Sequence, residues 1–310
     1  MEETLPEKTN LALGTGLVTV HLFQYVVLPL YLLPQSWWWG VLLLPLGLLT
    51  PPMWALMHEA VHGVLLHGQA RNDAAGRLLF ILFGSPLYFL RFGHLTHHRY
   101  NRLPVDLDDA CDPARDCGAL RAAGYYFKLL GGTYLQELAV PLLFLMPKRV
   151  QRSALETFLG SEEPSYAKVR AQAVAHLIDD PAVSRALRAD AAAIYLVFGL
   201  AFFLYGTAWW MLALALLLRG FLVSFLDNVY HYGTPVSDRR YALYLAVPVW
   251  LERYMLNFTL HYVHHLYPHV PWNRLPLLAE GRAPDDGYLH ALLRQLRGPI
   301  PLDRLPAGPR

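Results

Sequence analysis

The chain has 310 residues, of which 55% are hydrophobic and only 16% charged, too few charges to solvate the surface of an ordinary soluble domain. Against 24 Asp and Glu there are 26 Lys and Arg, a net charge of +2, so no cationic excess exists to neutralise phosphates and nucleic acid is excluded as the main partner. Aromatic residues at 13% exclude disorder.

Residues 10–33 contain no Lys, Arg, Asp or Glu and are long enough to cross a hydrocarbon core; residues 37–57 are a second such run. Only Pro34-Gln35-Ser36 separates them, which predicts an antiparallel hairpin with Trp37, Trp38 and Trp39 in the aromatic belt at its turn. The apolar stretches Leu78 to Leu90 and Leu138 to Met146 are too short to span and are flanked by Arg77, Arg91, Lys148 and Arg149; they are predicted to be interfacial or half-inserted helices. Cys111 and Cys117, which fall between these stretches, are too few for a disulfide framework and read as reduced thiols. Residues 148–189 are polar and read as a helical insert, with Glu162-Glu163-Pro164 and Asp179-Asp180-Pro181 as helix starts. A second hairpin follows in residues 190–205 and 209–226, turning at Gly206-Thr207, and the Pro-rich tail 298–310 is predicted to be poorly ordered.

No Lys or Arg lies between Lys8 and Arg71 or between Arg188 and Arg219, so both turns are expected to face away from the cytoplasm. Glu2, Glu3 and the single early Lys8, ahead of so long an apolar run, argue against a signal peptide, which leaves both termini cytoplasmic. The predicted fold is one all-α integral-membrane domain over residues 1–310. It has two transmembrane hairpins (about four spans), interfacial helices and a cytoplasmic helical cap, in the inner or plasma membrane if the source is bacterial.

Nine of the fourteen histidines fall in four groups, all at the predicted cytoplasmic ends of the apolar segments. The first is His58-Glu59-Ala60-Val61-His62, whose two imidazoles share a helix face. The second is His94-Leu95-Thr96-His97-His98. The third pairs Asp227 with His231, one turn apart, and the fourth is His261-Tyr262-Val263-His264-His265, with Asn257 ahead of it on a single predicted helical stripe through His261 and His264. Neutral imidazole is a poor hydrocarbon-facing group but a good ligand for zinc, iron and copper, so its concentration at one depth points to metal.

Three chemistries remain open on these residues. His58, Glu59 and His62 form the H-E-x-x-H of a zinc metalloprotease, with Glu59 as general base. One tetrahedral zinc uses about three protein ligands, which leaves at least six clustered histidines without a task. Nine suits two redox metals with four or five ligands each, which invites oxygen chemistry. A metal carrier would place ionisable residues through the spans, which apart from Arg219 are almost free of them.

The box order His-x-x-x-His, His-x-x-His-His, His-x-x-His-His, together with Gly93 to Arg99, Asn257 to His261 and His264-His265-Leu266-Tyr267-Pro268-His269-Val270-Pro271-Trp272 through Leu275-Pro276, resembles the membrane fatty acid desaturase and hydroxylase superfamily, integral-membrane di-iron oxygenases. Residues 119–189 carry none of the likeness. The resemblance implies that His58, His62, His94, His97, His98, His231, His261, His264 and His265 hold two non-haem irons, with Asn257 as a direct or water-mediated ligand. It also implies O2 as co-substrate, hydrogen abstraction from an unactivated C–H bond, and a lipid or fatty acyl substrate. No haem-binding His-Pro-Gly-Gly, flavin fingerprint or iron–sulfur cysteine cluster is present, so electrons are expected from a separate ferredoxin or cytochrome-type donor. Desaturation of an acyl chain is the leading reaction; hydroxylation, ketolation and alkene-forming decarboxylation are the alternatives on the same scaffold.

Around this core, Glu59 is expected to accept an imidazole N–H and Asp227 to fix the tautomer of His231. Arg219 is expected to pair with Asp227 or a substrate carboxylate, or to snorkel to the interface. Asp106, Asp108, Asp109 and Asp112 are candidates to orient ligands, dock a cationic donor or form a solvated loop. A slipped pairing of His62 with His67 is the alternative for the first box, and His269 is expected to hydrogen-bond nearby; His21, His176 and His290 are given no chemistry.

Overall fold

The computed structural model describes residues 5–236 and 238–306. Regular structure among them is almost entirely helical; the four strands are two residues each and form two short parallel pairs. Three stretches are long and apolar enough to cross a membrane, Glu7–Leu32, Trp37–His62 and Pro181–Tyr230, or up to four if the bent pair Gln69–Phe83 and Leu87–Tyr100 forms one. The 50 residues of the third would make about 75 Å of straight helix, more than twice the hydrocarbon core. It breaks at Gly206 (φ 50°, ψ −121°), and the two parts, Pro181–Tyr205 and Trp209–Asp227, pack on one another as the second hairpin.

The two hairpins turn at the same end of the bundle. Gly40 packs on Met211 and Gly47 on Leu218, so Trp37–His62 and Trp209–Asp227 run side by side in one direction. At the turn end the Trp37 and Trp210 rings lie 6.2 Å apart, and exposed Trp38, Trp39 and Trp209 extend them into an aromatic band. Leu196, Phe203, Leu214 and Leu217 are exposed on the outward faces, as expected of surfaces that lipid covers.

Helix starts follow the sequence punctuation. Asp180 caps Pro181–Tyr205 by accepting from the Ala182 and Val183 amides, and Glu163 caps Pro164–Ala173 by accepting from Ser165. The helix therefore begins at Pro181, ahead of the expected residue 190. The second span likewise continues past Met57 to His62, where Gly63, at φ 78°, ends it.

The stretch around Leu78 to Leu90 forms a re-entrant elbow. Helices Gln69–Phe83 and Leu87–Tyr100 meet at 98° across Gly84-Ser85-Pro86. Gly84 has φ 111°, and a Cβ there would collide with Leu138. A helix end inside an apolar bundle leaves carbonyls without partners, and three side chains satisfy them: Tyr25 donates to Leu82 O at 3.0 Å, Tyr134 to Phe83 O at 2.6 Å and Arg219 to Leu82 O at 3.4 Å. The elbow returns the chain, so the histidines on either side of it remain at one end.

Arg219 thus differs from its expected role. Its side chain is fully buried, also contacts His21 Nε2 and Leu46 O, and pairs with neither Asp227 nor the interface. Helix Thr133–Leu145 packs on both helices of the second hairpin instead of lying at the interface as expected for Leu138 to Met146. Cys111 and Cys117 form a disulfide, not the expected free thiols. The tail is also more ordered than expected: Ile300–Pro301 pairs with Ala110–Cys111, although residues 307–310 lie outside the described set.

Replacing Arg219 by Leu removes one of two side-chain donors to the Leu82 carbonyl and leaves the buried His21 Nε2 without its partner. We expect a loss of about 1–3 kcal/mol in stability, read from thermal unfolding in detergent, the cost of a buried unsatisfied group. An unchanged unfolding midpoint would show that the elbow does not depend on this side chain.

Candidate metal centre

Two arginines, Arg102 buried and Arg91 partly buried, fix the segments that carry the histidines. Arg91, one turn before His94, donates to Ala60 O at 2.8 Å and Val61 O at 3.1 Å and pairs with Asp73. It thereby joins the carboxyl end of helix Thr50–His62 to helix Leu87–Tyr100, where a cation also suits the helix dipole. Arg102 pairs with Asp109 at 2.6 Å and donates to Thr234 O at 2.7 Å and His231 O at 3.3 Å. That contact draws the segment after the last span onto the same helix.

Nine imidazoles converge as a result. Five form one group, His58, His62, His94, His98 and His264, and four form another, His97, His231, His261 and His265, with the ligand atoms of each group within 4.8 Å of one another. Each His-x-x-His-His segment divides between the groups: His94 and His98 face one and His97 the other, while His261 and His265 face one and His264 the other. The groups adjoin, and the His98 and His265 rings stack with centroids 4.3 Å apart.

The spacing fits ligation better than hydrogen bonding. The Nε2 of His94 lies 2.9 Å from those of both His62 and His98, and His98 Nε2 lies 3.0 Å from that of His264. In the second group His231 Nε2 is 3.1 Å from those of His97 and His261, and His261 Nε2 is 3.2 Å from that of His265. A neutral imidazole nitrogen either donates or accepts, so it cannot pair with two such neighbours at once. Nitrogens bound at right angles to one ion at about 2.1 Å, in contrast, lie about 3 Å apart. His58 Nε2 is buried with no hydrogen-bond partner, as suits an atom facing an ion. The donor set therefore fits two first-row transition metals.

A cavity of about 270 Å³ opens beside these groups. His58, His94, His97, His231 and His261 line it, together with the apolar side chains of Met57, Phe80 and Leu90. Burial, reinforced by neighbouring imidazoles, holds His231, His261, His264 and His265 well below the usual histidine range, which keeps them neutral and able to ligate.

The family model for fatty acid desaturases matches residues 35–296. The chain belongs to the fatty acid desaturase family. It is similar to the fatty acid conjugase FAC2 A of Calendula officinalis, 23% identical over an alignment of 262 residues that covers 80% of this chain and 66% of that protein. The chain thus spans just under two thirds of that relative's length. No solved structure matches it.

In this desaturase-family chain the nine expected histidines are the nine that come together. His67 is exposed beside Glu7 and takes no part. His269 lies outside both groups, its ring 6.4 Å from that of His62. Asn257 does not continue the helical stripe: it has φ 57°, the helix starts at His261, and its Nδ2 donates to Trp272 O at 3.0 Å. Glu59 accepts from the Trp272 backbone amide at 3.1 Å, not from an imidazole. Asp227 makes no hydrogen bond to His231, whose Nδ1 has no partner; Asp227 instead lines the cavity.

The carboxylate that does orient a ligand is Asp106, which accepts from His97 Nδ1 at 2.8 Å and so turns the Nε2 lone pair inward. Asp109 serves Arg102, Asp108 pairs with Lys128, and Asp112 stays in the exposed loop beside Arg115. Of the three isolated histidines, His21 contacts Arg219, His176 stacks on Phe92 and His290 meets Asp286. Sequence reasoning missed Arg91, Arg102 and Glu137, the last a buried carboxyl that also lines the cavity. Its signal was a lone acid in an apolar stretch.

Asp106→Asn is expected to weaken metal binding in the four-histidine group by roughly 10–100-fold while the five-histidine group keeps its metal, so that metal content falls toward half. Full retention would remove Asp106 from this role. Stability should also depend on pH. The unfolded chain protonates these rings near 6.5, whereas the folded chain does so only well below that value. Stability of the chelator-treated protein is therefore complete above about 6.5 and declines as pH falls below it. A thermal midpoint that stays flat or rises between pH about 7.5 and 5.5 would contradict this.

Proposed function

We propose that this chain is an O2-dependent di-iron oxidoreductase that introduces a double bond into a fatty acyl chain. The division of nine imidazoles into adjoining groups of five and four, each with its nitrogens about 3 Å apart, is the observation that carries the reading. His58, His62, His94, His98 and His264 would hold one iron and His97, His231, His261 and His265 the other. When bound, such a pair supplies O2 activation and removal of hydrogen from an unactivated C–H bond. In the overall balance the acyl chain gives up two hydrogens, and O2, with two electrons and two protons from a separate ferredoxin or cytochrome-type donor, becomes two waters.

The chain's own residues perform the remaining tasks. Met57, Phe80 and Leu90 offer the acyl segment an apolar wall against the histidines, and Asp106 holds the His97 ring in register. The absence of Lys and Arg near either turn supports a cytoplasmic histidine end. The protease reading loses support from Glu59, whose carboxylate is engaged by the Trp272 amide.

Lipid extracts from cells expressing the protein should contain an unsaturated acyl product that disappears with His264→Ala. A hydroxylated or shortened product would move the assignment to another reaction on the same scaffold. No histidine-dependent product would overturn it.

A further inference from the structure

The segment that follows helix Leu87–Tyr100 carries a covalent link that the oxidising centre does not use. Asp106 accepts from His97 Nδ1, and Asp109 pairs with Arg102, which in turn donates to His231 O. Two members of the four-histidine group, His97 and His231, are thus held through residues 106–109. Three fasteners clasp residues 106–111 to helix Ala119–Phe127 and the Lys128 that follows it. Arg121 donates to Leu107 O at 2.8 Å and to Ala110 O, Lys128 pairs with Asp108 at 2.8 Å, and the disulfide joins Cys111 to Cys117, two residues ahead of the helix.

Of the three, the disulfide is the one that electrons can open. Its cysteines are six residues apart, so it closes too small a ring to staple the whole fold and fixes instead the local path of the chain. Cys111 is buried and anchored by the pairing of Ala110–Cys111 with Ile300–Pro301, whereas Cys117 and residues 113–116 are exposed and offer an incoming reductant a point of attack. The cation distribution supports a cytoplasmic histidine end, and a disulfide in that compartment is usually transient, formed and broken as the redox state changes.

We infer that Cys111 and Cys117 form a reversible redox-modification site that governs how firmly the four-histidine group holds its metal. In exchange with a dithiol reductant, the protein S–S bond takes up two electrons and two protons and becomes two thiols, while the dithiol closes to its own disulfide. Residues 106–111 then hang on Arg121 and Lys128 alone, and Asp106 and Arg102 lose their register on His97 and His231. The inference rests on the proposed metal centre and on its cytoplasmic placement.

The test compares the purified, iron-loaded full chain before and after treatment with tris(2-carboxyethyl)phosphine, alongside the double variant Cys111→Ser, Cys117→Ser. Reduction should speed the loss of one of the two irons to EDTA by about tenfold or more, the effect expected when a carboxylate that orients a ligand is displaced. Reoxidation with diamide should reverse this, and the double variant should behave as the reduced wild type and ignore the phosphine; the wild-type comparison stands by itself if the variant does not fold. Hydrogen–deuterium exchange gives a readout that needs no metal. The Gly233 amide donates to Asp109 Oδ2 at 2.7 Å and the Ile300 amide to Asp109 O at 2.8 Å, and both should exchange about tenfold faster or more once the link is open. In cells, a membrane-permeant maleimide should label Cys117 before diamide treatment and not after it. Iron loss and amide exchange that are the same in both redox states, or a cysteine pair that is blocked under both conditions or labelled under both, would overturn the inference. Faster amide exchange on reduction in a chain that binds no iron would count against the metal centre and not against the redox site.

Discussion

A nitrogen lone pair removed from water has to be satisfied, and the fold brings nine imidazoles together where protein donors cannot do it. The inward Nε2 atoms lie too close to several others for hydrogen bonding to account for them all, and His58 Nε2 has none. Two metal ions resolve this arrangement at the observed spacing. The rest of the molecule follows from holding it in place: Arg91 ties the first histidine helix to the second, Arg102 ties the second to the segment bearing His231, and Arg219 holds the elbow that turns the chain back.

The interleaving of the groups has a functional consequence. Helix Leu87–Tyr100 and helix His261–Leu266 each supply nitrogens to both groups, so the two groups share one scaffold. A small rotation of either helix would disturb both at once. The shared scaffold would hold two metals at a fixed relation, as the proposed joint action on one O2 requires, beside a cavity lined by both apolar side chains and acids.

Spacing made the histidines legible, because three- and four-residue intervals on helices at the ends of apolar runs leave few alternatives. The hairpins were legible from length and from the loss of charge. The elbow was not, since the apolar run at Leu78 to Leu90 is short and its sharp turn depends on donors from Tyr25, Tyr134 and Arg219, distant in sequence. For the same reason Arg219 was misread: an arginine in a span suggests a charged partner, whereas this one satisfies backbone carbonyls. Asp227 and Glu59 were misassigned because proximity along a helix does not reveal which group the carboxylate faces. Cys111 and Cys117 gave no sign that the loop after His98 would bring them together. That disulfide suits an oxidising compartment, whereas the cation distribution in the sequence led to the expectation of a cytoplasmic histidine end.

Anomalous X-ray scattering at the iron edge, on crystals of the full chain, tests the central claim most directly. The account expects two iron peaks, one enclosed by His58, His62, His94, His98 and His264 and one by His97, His231, His261 and His265. A single zinc bound by His58 and His62, with the remaining histidines bare, would contradict it.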